Sequence, residues 1–197
     1  MSISAVPTVV SALPSDRERS VATLVTAFTQ DPFIRWMLPD AQQFLAYFPQ
    51  VLKFFAGRAF ENASAYRSHD YVATALWLPP GVHPDEESLG GVMQDAVDDA
   101  LQKEVFEVLD QVGGSHPDVE HWYLPALGVD PRCQGMGYGS AILAQGLKVC
   151  DRNHVAAYLE ATNQRNVPFY RKFGFEVVGK IQAGSSPAIV PMLRSAR

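Results

Sequence analysis

The chain has 197 residues, of which 47% are hydrophobic, and a formal net charge of −5 at pH 7. A chain of this length and composition can bury one sizeable core, so we expect residues 1–197 to form one domain. The acidic balance argues against a general nucleic-acid surface. No run approaches the about 20 apolar residues that span a bilayer, and the N-terminus lacks a secretory-signal pattern, so we expect a cytoplasmic protein with no membrane partner.

Strand and helix signals alternate along the chain. The first half is predicted to contain a strand at 7–13, a helix opened by a capping box at 15–18, a loop at 31–40, a helix at 41–60 with a break or kink near Pro49, and paired strands at 64–68 and 71–79. The second half is predicted to contain an acidic helical segment over about 85–113, a strand at 120–129, a helix at 139–153, a strand at 155–161, a helix at 164–173, and strands at 175–182 and 187–194.

The stretch RCQGMGYGS, residues 132–140, joins a predicted strand to a predicted helix. A helix that begins here leaves its first N–H groups unpaired, and these groups together with the helix dipole attract anions. Gly135, Gly137 and Gly139 lack a Cβ, so the chain can take positive φ and gather N–H groups in a concavity suited to a pyrophosphate. Residues 131–172 carry a net charge of +4 and the remainder −9, which also favours an anionic ligand at the loop.

Two common phosphate-binding motifs do not fit this loop. The P-loop pattern Gly-x-x-x-x-Gly-Lys-Ser/Thr needs a lysine, and none follows these glycines. The dinucleotide fingerprint Gly-x-Gly-x-x-Gly needs glycine where Ser140 stands. Two interpretations remain from the residues alone: a different kind of pyrophosphate site, or glycines that only permit a tight turn from strand to helix.

The motif Arg132-x-x-Gly135-x-Gly137, followed about 30 residues later by NQRNVPFYRKFGF, resembles the Gcn5-related N-acetyltransferase (GNAT) superfamily. The acetyl-CoA signature of that superfamily is Gln/Arg-x-x-Gly-x-Gly/Ala, and its later signature is an Asn-containing turn, then Tyr, then Gly-Phe. The pattern is most similar to members related to puromycin N-acetyltransferase. The resemblance is specific over residues 120–176, weaker over 20–40 and absent as a motif over 80–118.

The resemblance implies an α/β (α+β) fold whose central sheet is mixed, mostly antiparallel and six- or seven-stranded. The sheet would be splayed between strands 4 and 5 and flanked by helices, with acetyl-CoA in the splay as co-substrate and no metal. The implied cofactor-binding residues are Leu127, Gly128, Val129, Arg132, Gln134, Gly135, Met136, Gly137, Tyr138, Gly139, Ser140, Asn163, Asn166 and Tyr170. Asn163 and Asn166 compete for one cofactor contact, and either could instead cap the helix.

Direct transfer from a thioester to an amine needs a proton acceptor for the amine and a donor for the departing thiolate. The resemblance implies that Tyr170 donates to the thiolate, although its ring could instead only pack under the helix. His121, on strand 120–129, and Glu160, on the next strand, are both candidate bases. The remaining histidines fall singly, without metal-ligand spacing: His69, His83, His116 and His154.

The expected function is acetyl-CoA-dependent transfer of an acetyl group to the primary amine of a small molecule, with no nucleic-acid partner and with a homodimer left open. A non-catalytic acyl-CoA sensor and a transferase for longer acyl chains are the alternatives. Six side chains could line an acceptor pocket or simply form core: Phe33, Trp36, Met37, Phe44, Tyr47 and Phe48. Three aspartates of the acidic segment could attract a cationic amine or form a solvated face: Asp95, Asp98 and Asp99.

Overall fold

A computed structural model describes residues 7–197. Within these residues the strands are Val9–Ser11 (β1), Ala65–Ser68 (β2), Ala73–Leu78 (β3), His121–Val129 (β4), Ala156–Ala161 (β5), Glu176–Val177 (β6) and Val190–Arg194 (β7). The α-helices are Arg17–Ala27 (α1), Pro32–Met37 (α2), Ala41–Ala56 (α3), Arg58–Glu61 (α4), Glu86–Ala96 (α5), Asp99–Gly114 (α6), Tyr138–Asn153 (α7) and Val167–Arg171 (α8). No helix in this range is long and apolar enough to cross a membrane.

The strands form one seven-stranded sheet in the order β1-β2-β3-β4-β5-β7-β6. Neighbouring strands run antiparallel except β4 and β5, which are parallel. The mixed, mostly antiparallel sheet that the resemblance implies is therefore confirmed.

The parallel pair separates partway along its length. Residues His121–Tyr123 of β4 pair with Ala156–Tyr158 of β5, while the rest of β4 stays paired with β3 and the rest of β5 with β7. The C-terminal halves, Leu124–Val129 and Leu159–Ala161, line a wedge that we call the β4–β5 gap. This gap is the predicted splay.

Helices cover both faces of the sheet. Helices α1 and α3 pack on one face, where Tyr123 and Tyr158 point into the larger core cluster. Helix α7 packs on the other face, where Leu124 and Leu159 point into a second cluster that also contains Tyr170 of α8. The alternation of side chains along β4 and β5 thus divides the candidate catalytic residues between two faces.

Four element predictions differ from the structure in type, continuity or length. Residues 32–37 form α2 rather than a loop, since the Asp31 carboxylate accepts hydrogen bonds from Phe33 N and Ile34 N, both at 3.1 Å. Helix α3 continues through Pro49 without the break that was one of the two expectations there, and the helical run 41–61 divides at Gly57 instead.

The acidic helical segment is two helices rather than one. Val97 is extended, and the Asp98 carboxylate caps α6 by accepting from Ala100 N at 3.0 Å. The predicted strand at 175–182 is shorter than expected, because only β6 and a single bridge between Ile181 and Ile189 form ladder pairs there.

Helix α7 packs very closely against β3 at one glycine. A Cβ placed on Gly146 would overlap the indole of Trp77, a fully buried side chain of β3. Helix α7 therefore lies closer to the sheet than a residue with a side chain at 146 would allow. This contact helps to set the position of the N-terminus of α7, which directly follows the glycine loop, residues 132–137.

We expect Gly146→Ala to lower the free energy of unfolding by about 1–3 kcal/mol, because the added methyl forces the indole or the helix to move. Urea denaturation measures the change. Gly91→Ala is the matched control: Gly91 lies in α5 with open space around it, so alanine should raise stability by up to about 1 kcal/mol. Equal unfolding midpoints for Gly146→Ala and the wild type would contradict this packing.

Candidate active site

The glycine loop ends at the N-terminus of α7, as predicted. Gly135 and Gly137 take positive φ values of +75° and +89°, and α7 begins at Tyr138. The first intrahelical bond runs from Ala141 N to Gly137 O at 3.0 Å, so the N–H groups of residues 138–140 lie before it. Residues 134–137 are exposed, and the loop can therefore offer backbone N–H groups and the helix dipole to an anion.

Gly139 differs from the other two glycines. It lies in the first turn of α7, and a Cβ there would make ordinary contact with Phe169 at 3.5 Å. The expected positive φ at alternate positions thus holds for Gly135 and Gly137 and is wrong for Gly139, because the helix has already begun.

Polar side chains brace the loop from within. The Arg132 guanidinium donates to Asp130 at 2.7 Å and holds the pKa of that carboxyl at about 2. Tyr138 donates to Asp70 in the turn between β2 and β3 at 2.6 Å, and the Gln134 amide donates to Val129 O at 3.4 Å. Backbone groups are consequently the loop's main free binding groups.

The three implied β4 contacts lie along the gap. Leu127 and Val129 pack in the second core cluster, next to the start of the glycine loop. Gly128 has a packing role that the sequence did not reveal: a Cβ there would lie 2.6 Å from Ala27 Cβ on α1. The absence of a side chain lets α1 lie directly on this part of β4.

Tyr170 is buried beside the end of β5. Its ring packs against Phe169 and Phe175, with centroids 5.1 and 5.9 Å away. Burial, and secondarily the charge of Asp31, raise the pKa of the phenol, so it stays protonated as a hydrogen-bond donor. Asp31 also accepts from Thr162 Oγ1 at 2.7 Å, which joins the start of α2 to the end of β5.

Asn163 and Asn166 are not equivalent. The Asn163 side chain accepts from Arg165 N at 3.1 Å and caps a short 3-10 turn. Asn166 is exposed and its side chain makes no cap bond to α8. The local capping role foreseen for either residue is thus taken by Asn163.

The Glu160 carboxylate is buried on the opposite face of β5 from Tyr170. Only 6% of its side chain is exposed, and it lies among the phenols of Tyr123 and Tyr158. Burial raises the pKa of Glu160 to about 7, although the two phenols oppose that shift. A carboxyl poised near neutrality can both take and release a proton at physiological pH.

The two candidate bases belong to one cluster, and His116 joins them. His116 Nε2 lies 3.6 Å from Glu160 Oε1, and His116 Nδ1 lies 3.0 Å from His121 Nε2. The sequence indicated that His116 stands singly, but the structure places it beside His121 and Glu160. The loop between α6 and β4 brings it back over the sheet, a placement for which the sequence has no periodic signal.

A cavity of about 920 Å³ opens beside this cluster. Its walls include Phe55 of α3, Phe106 and Leu109 of α6, and both His116 and Tyr123. The acidic side chains on its walls are Glu86, Asp110, Asp118 and Glu120, and no lysine or arginine of residues 7–197 lines it.

The six side chains that could line a pocket or form core belong to the core. Four of the six aromatic and apolar candidates are core side chains with at most 6% exposure: Phe33, Met37, Phe44 and Phe48. Trp36 and Tyr47 pack against the same core. Asp95, Asp98 and Asp99 do not line the cavity, and within residues 7–197 no group of three or more acidic, histidine or cysteine residues could hold a metal ion.

Comparisons with known proteins agree with this architecture. The family described as acetyltransferase (GNAT) matches residues 63–175, more than half of the chain. An uncharacterized N-acetyltransferase of Schizosaccharomyces pombe is 27% identical over 174 residues, which cover 81% of this chain and 70% of that protein.

Solved structures give the same result. A Corynebacterium glutamicum protein described as histone acetyltransferase HPA2 and related acetyltransferase is 26% identical, with a TM-score of 0.69 over 98% of this chain and 97% of that one. Arylalkylamine N-acetyltransferase 2 of Aedes aegypti shares the fold at 13% identity, with a TM-score of 0.66 over 96% and 99% of the two chains.

The fold and the matched region define an acyltransferase. The chain belongs to the GNAT acetyltransferase family. The particular similarity to puromycin N-acetyltransferases stays a prediction.

We expect the stability of the protein to fall as pH rises through neutrality, because of Glu160. Its folded pKa of about 7 exceeds the ordinary value of 4.5, so the folded state holds a proton that the unfolded state has lost between these pH values. The associated stability is complete below about pH 4.5 and is lost as pH rises from there through 7, a change on the order of 3 kcal/mol. Chemical denaturation of the wild type and Glu160→Gln at pH 5 and pH 8 measures it. Glutamine should stabilise the protein relative to the wild type at pH 8 and much less at pH 5, and an equal difference at both pH values would contradict the buried carboxyl.

Proposed function

We propose that the protein transfers the acetyl group of acetyl-CoA directly to the primary amine of a small molecule. The observation that carries the proposal is the β4–β5 gap, with the glycine loop at one end and the Glu160 cluster at the other. Val129 lies six positions after Tyr123 along β4, a distance of about 20 Å. This length suits an extended pantetheine arm between a pyrophosphate at the loop and a thioester at the point where the strands part.

Acetyl-CoA supplies the acetyl group as a thioester. In this proposal the N–H groups of residues 138–140 hold the pyrophosphate, and Gly135 and Gly137 let it approach the backbone. The free edge of β4 over Leu124–Val129 offers peptide groups to the pantetheine amides. Arg132 and Asn166 are exposed near this site, while Asn163 acts mainly as a cap.

The reaction needs a proton acceptor on one side of the thioester and a proton donor on the other. Glu160 and Tyr170 lie on opposite faces of β5, beside the same gap. Glu160 takes one proton from the bound ammonium, and the neutral amine then attacks the carbonyl carbon. Tyr170 donates a hydrogen bond to the sulfur as the carbon–sulfur bond breaks and negative charge develops on it.

The cavity beside Glu160 is the proposed acceptor site. Its apolar walls suit the hydrocarbon body of an amine, and its four carboxylates attract a cation in the absence of lining lysine or arginine. A small, positively charged amine with an apolar body therefore fits better than an amino acid with a free carboxylate. Cytoplasmic residence, the absence of a nucleic-acid partner and the open question of a homodimer stay predictions.

Thiol release from acetyl-CoA with a panel of amines tests the proposal. We expect turnover with apolar primary amines, and a large loss of kcat/KM when the same body carries a carboxylate, because the cavity walls are acidic. The alcohol of matched shape is the control and should give no turnover. Tight CoA binding with no thiol release from any amine would favour a sensor domain, and faster release from longer acyl-CoA thioesters would favour a different acyl donor.

Replacing Tyr170 by Phe keeps the packed ring and removes its hydroxyl. We expect kcat to fall about 100-fold, because the hydrogen bond strengthens only as thiolate charge develops, while CoA affinity stays nearly level. Steady-state kinetics paired with CoA titration separates the two effects. Tyr66→Phe is the matched control, since Tyr66 is a buried tyrosine of the same core cluster on β2. Equal kcat values for the two variants would mean that Tyr170 only packs.

A further inference from the structure

The turn between α1 and α2, residues 28–31, reaches from one side of the β4–β5 gap to the other. On the β4 side the end of α1 packs on Gly128, where a Cβ would lie 2.6 Å from Ala27 Cβ. On the β5 side the Asp31 carboxylate accepts a hydrogen bond from Thr162 Oγ1 at 2.7 Å, and Thr162 directly follows the last residue of β5. One short segment of chain thus contacts both sides of the gap where the two strands are no longer paired with each other.

The Asp31 carboxylate is fixed in this position by the helix that it caps. Its Oδ1 atom accepts from Phe33 N and Ile34 N, both at 3.1 Å, and its Oδ2 atom accepts from the Thr162 hydroxyl. Asp31 is only 8% exposed, and its backbone N–H donates to Phe28 O at 3.0 Å, which closes the turn. A hydrogen bond to an ionised carboxylate is about twice as strong as a neutral one, so Thr162 holds this turn firmly to the end of β5.

The hydrogen bond crosses the gap partway along its length. Thr162 lies four positions after Tyr158, the last residue of β5 that pairs with β4, a distance of about 13 Å. The charge of Asp31 contributes to the raised pKa of Tyr170, so the carboxylate lies near that phenol even though the two residues belong to different faces of the sheet. Within residues 7–197, no other side-chain hydrogen bond joins α1 or α2 to β5 or to the turn after it.

The sheet itself leaves the width of the gap open. Beyond the paired residues β4 is bonded to β3 and β5 to β7, so ladder bonds set the distance between the two inner edges only where the strands part. On one face of the sheet α7 contacts both strands, and on the other face the turn at residues 28–31 joins them. An extended ligand that bonds to these edges gains affinity when they are already held at the spacing that it needs.

We propose that the hydrogen bond between Thr162 and Asp31 is a clasp that sets the width of the β4–β5 gap and thereby positions the pantetheine arm of acetyl-CoA. The inference rests on the proposed function, which places that arm in the gap. Asp31 and Thr162 are positioning residues in this account, because they act through the two strands and not through contact with the thioester.

The test is the affinity for CoA of Thr162→Val and Thr162→Ser, measured by calorimetry. Valine keeps the shape of threonine and removes the donor, so we expect Kd to rise about 10-fold. Serine keeps the hydroxyl and should bind CoA within about 2-fold of the wild type. Thr23→Val is the matched control and should bind CoA like the wild type, because Thr23 Oγ1 donates at the same 2.7 Å to Tyr71 O, which joins α1 to the turn between β2 and β3 instead of to β5.

A fragment of CoA separates the gap from the phosphate site. The nucleotide 3′-phospho-ADP carries both pyrophosphate phosphates and no pantetheine, so it should bind equally to the wild type and to all three variants. A general loss of structure in Thr162→Val would weaken both ligands. With the amine that the wild type uses best, KM for acetyl-CoA should rise about 10-fold in Thr162→Val while kcat changes much less.

Asp31→Ser tests the other end of the clasp. Serine is as good an N-cap as aspartate, so α2 stays capped, but its side chain is too short to reach Thr162 as well. We expect Asp31→Ser to bind CoA about as weakly as Thr162→Val. The double variant should bind CoA no more weakly than either single variant, because both substitutions remove the same hydrogen bond.

Four results would each overturn the clasp. They are unchanged CoA affinity in Thr162→Val, no recovery with serine, a parallel loss of affinity for 3′-phospho-ADP, and losses in the two single variants that add in the double variant. Failure of the proposed function looks different: a wild type that binds 3′-phospho-ADP as tightly as CoA overturns the placement of pantetheine in the gap, and the clasp with it. A wild type that binds CoA through its pantetheine but releases no thiol with any amine overturns acetyl transfer alone.

Discussion

The limited pairing of β4 with β5 is the constraint on which the site depends. Three residues of β4 pair with three residues of β5. Beyond them β4 stays paired with β3 and β5 with β7, so each strand has one free edge, which faces the gap. The opening exposes peptide groups of β4 that have no strand partner there, and an extended ligand can satisfy them. Gly146 and Gly128 hold the flanking helices close to the sheet, which fixes the walls of this gap.

Burial at the point where the strands part sets the acid–base chemistry. Glu160 of β5 and Tyr170 of α8 are buried on opposite faces of the sheet, and burial raises the pKa of both groups. In the proposed mechanism the same physical cause has two uses: it brings the pKa of a carboxyl near neutrality, so that it could exchange protons, and it keeps a phenol protonated, so that it could donate. His116 and His121 line the cavity beside this carboxyl.

The sequence predicts local features of the site well because they depend on local chemistry. The glycines at 135 and 137 and the start of α7 follow from a short motif, whereas the splayed sheet was implied by the resemblance to the superfamily. His116 and the cavity were missed because they arise where a loop and the acidic helices fold back over the sheet, contacts between residues far apart in the chain. The helix at 32–37 was missed because the prolines were read as loop signals, whereas Pro32 occupies the first helical position beside the capping carboxylate of Asp31 and Pro39 follows the helix end.

A crystal structure with acetyl-CoA bound tests the central claim most directly. The account predicts the pyrophosphate against the N–H groups of residues 138–140, the pantetheine arm along Leu124–Val129 in the β4–β5 gap, and the thioester sulfur within hydrogen-bonding distance of the Tyr170 hydroxyl. It also predicts an open path from the acetyl carbon to the cavity beside Glu160. Acetyl-CoA bound outside the gap, or a thioester separated from both Tyr170 and Glu160, would contradict it.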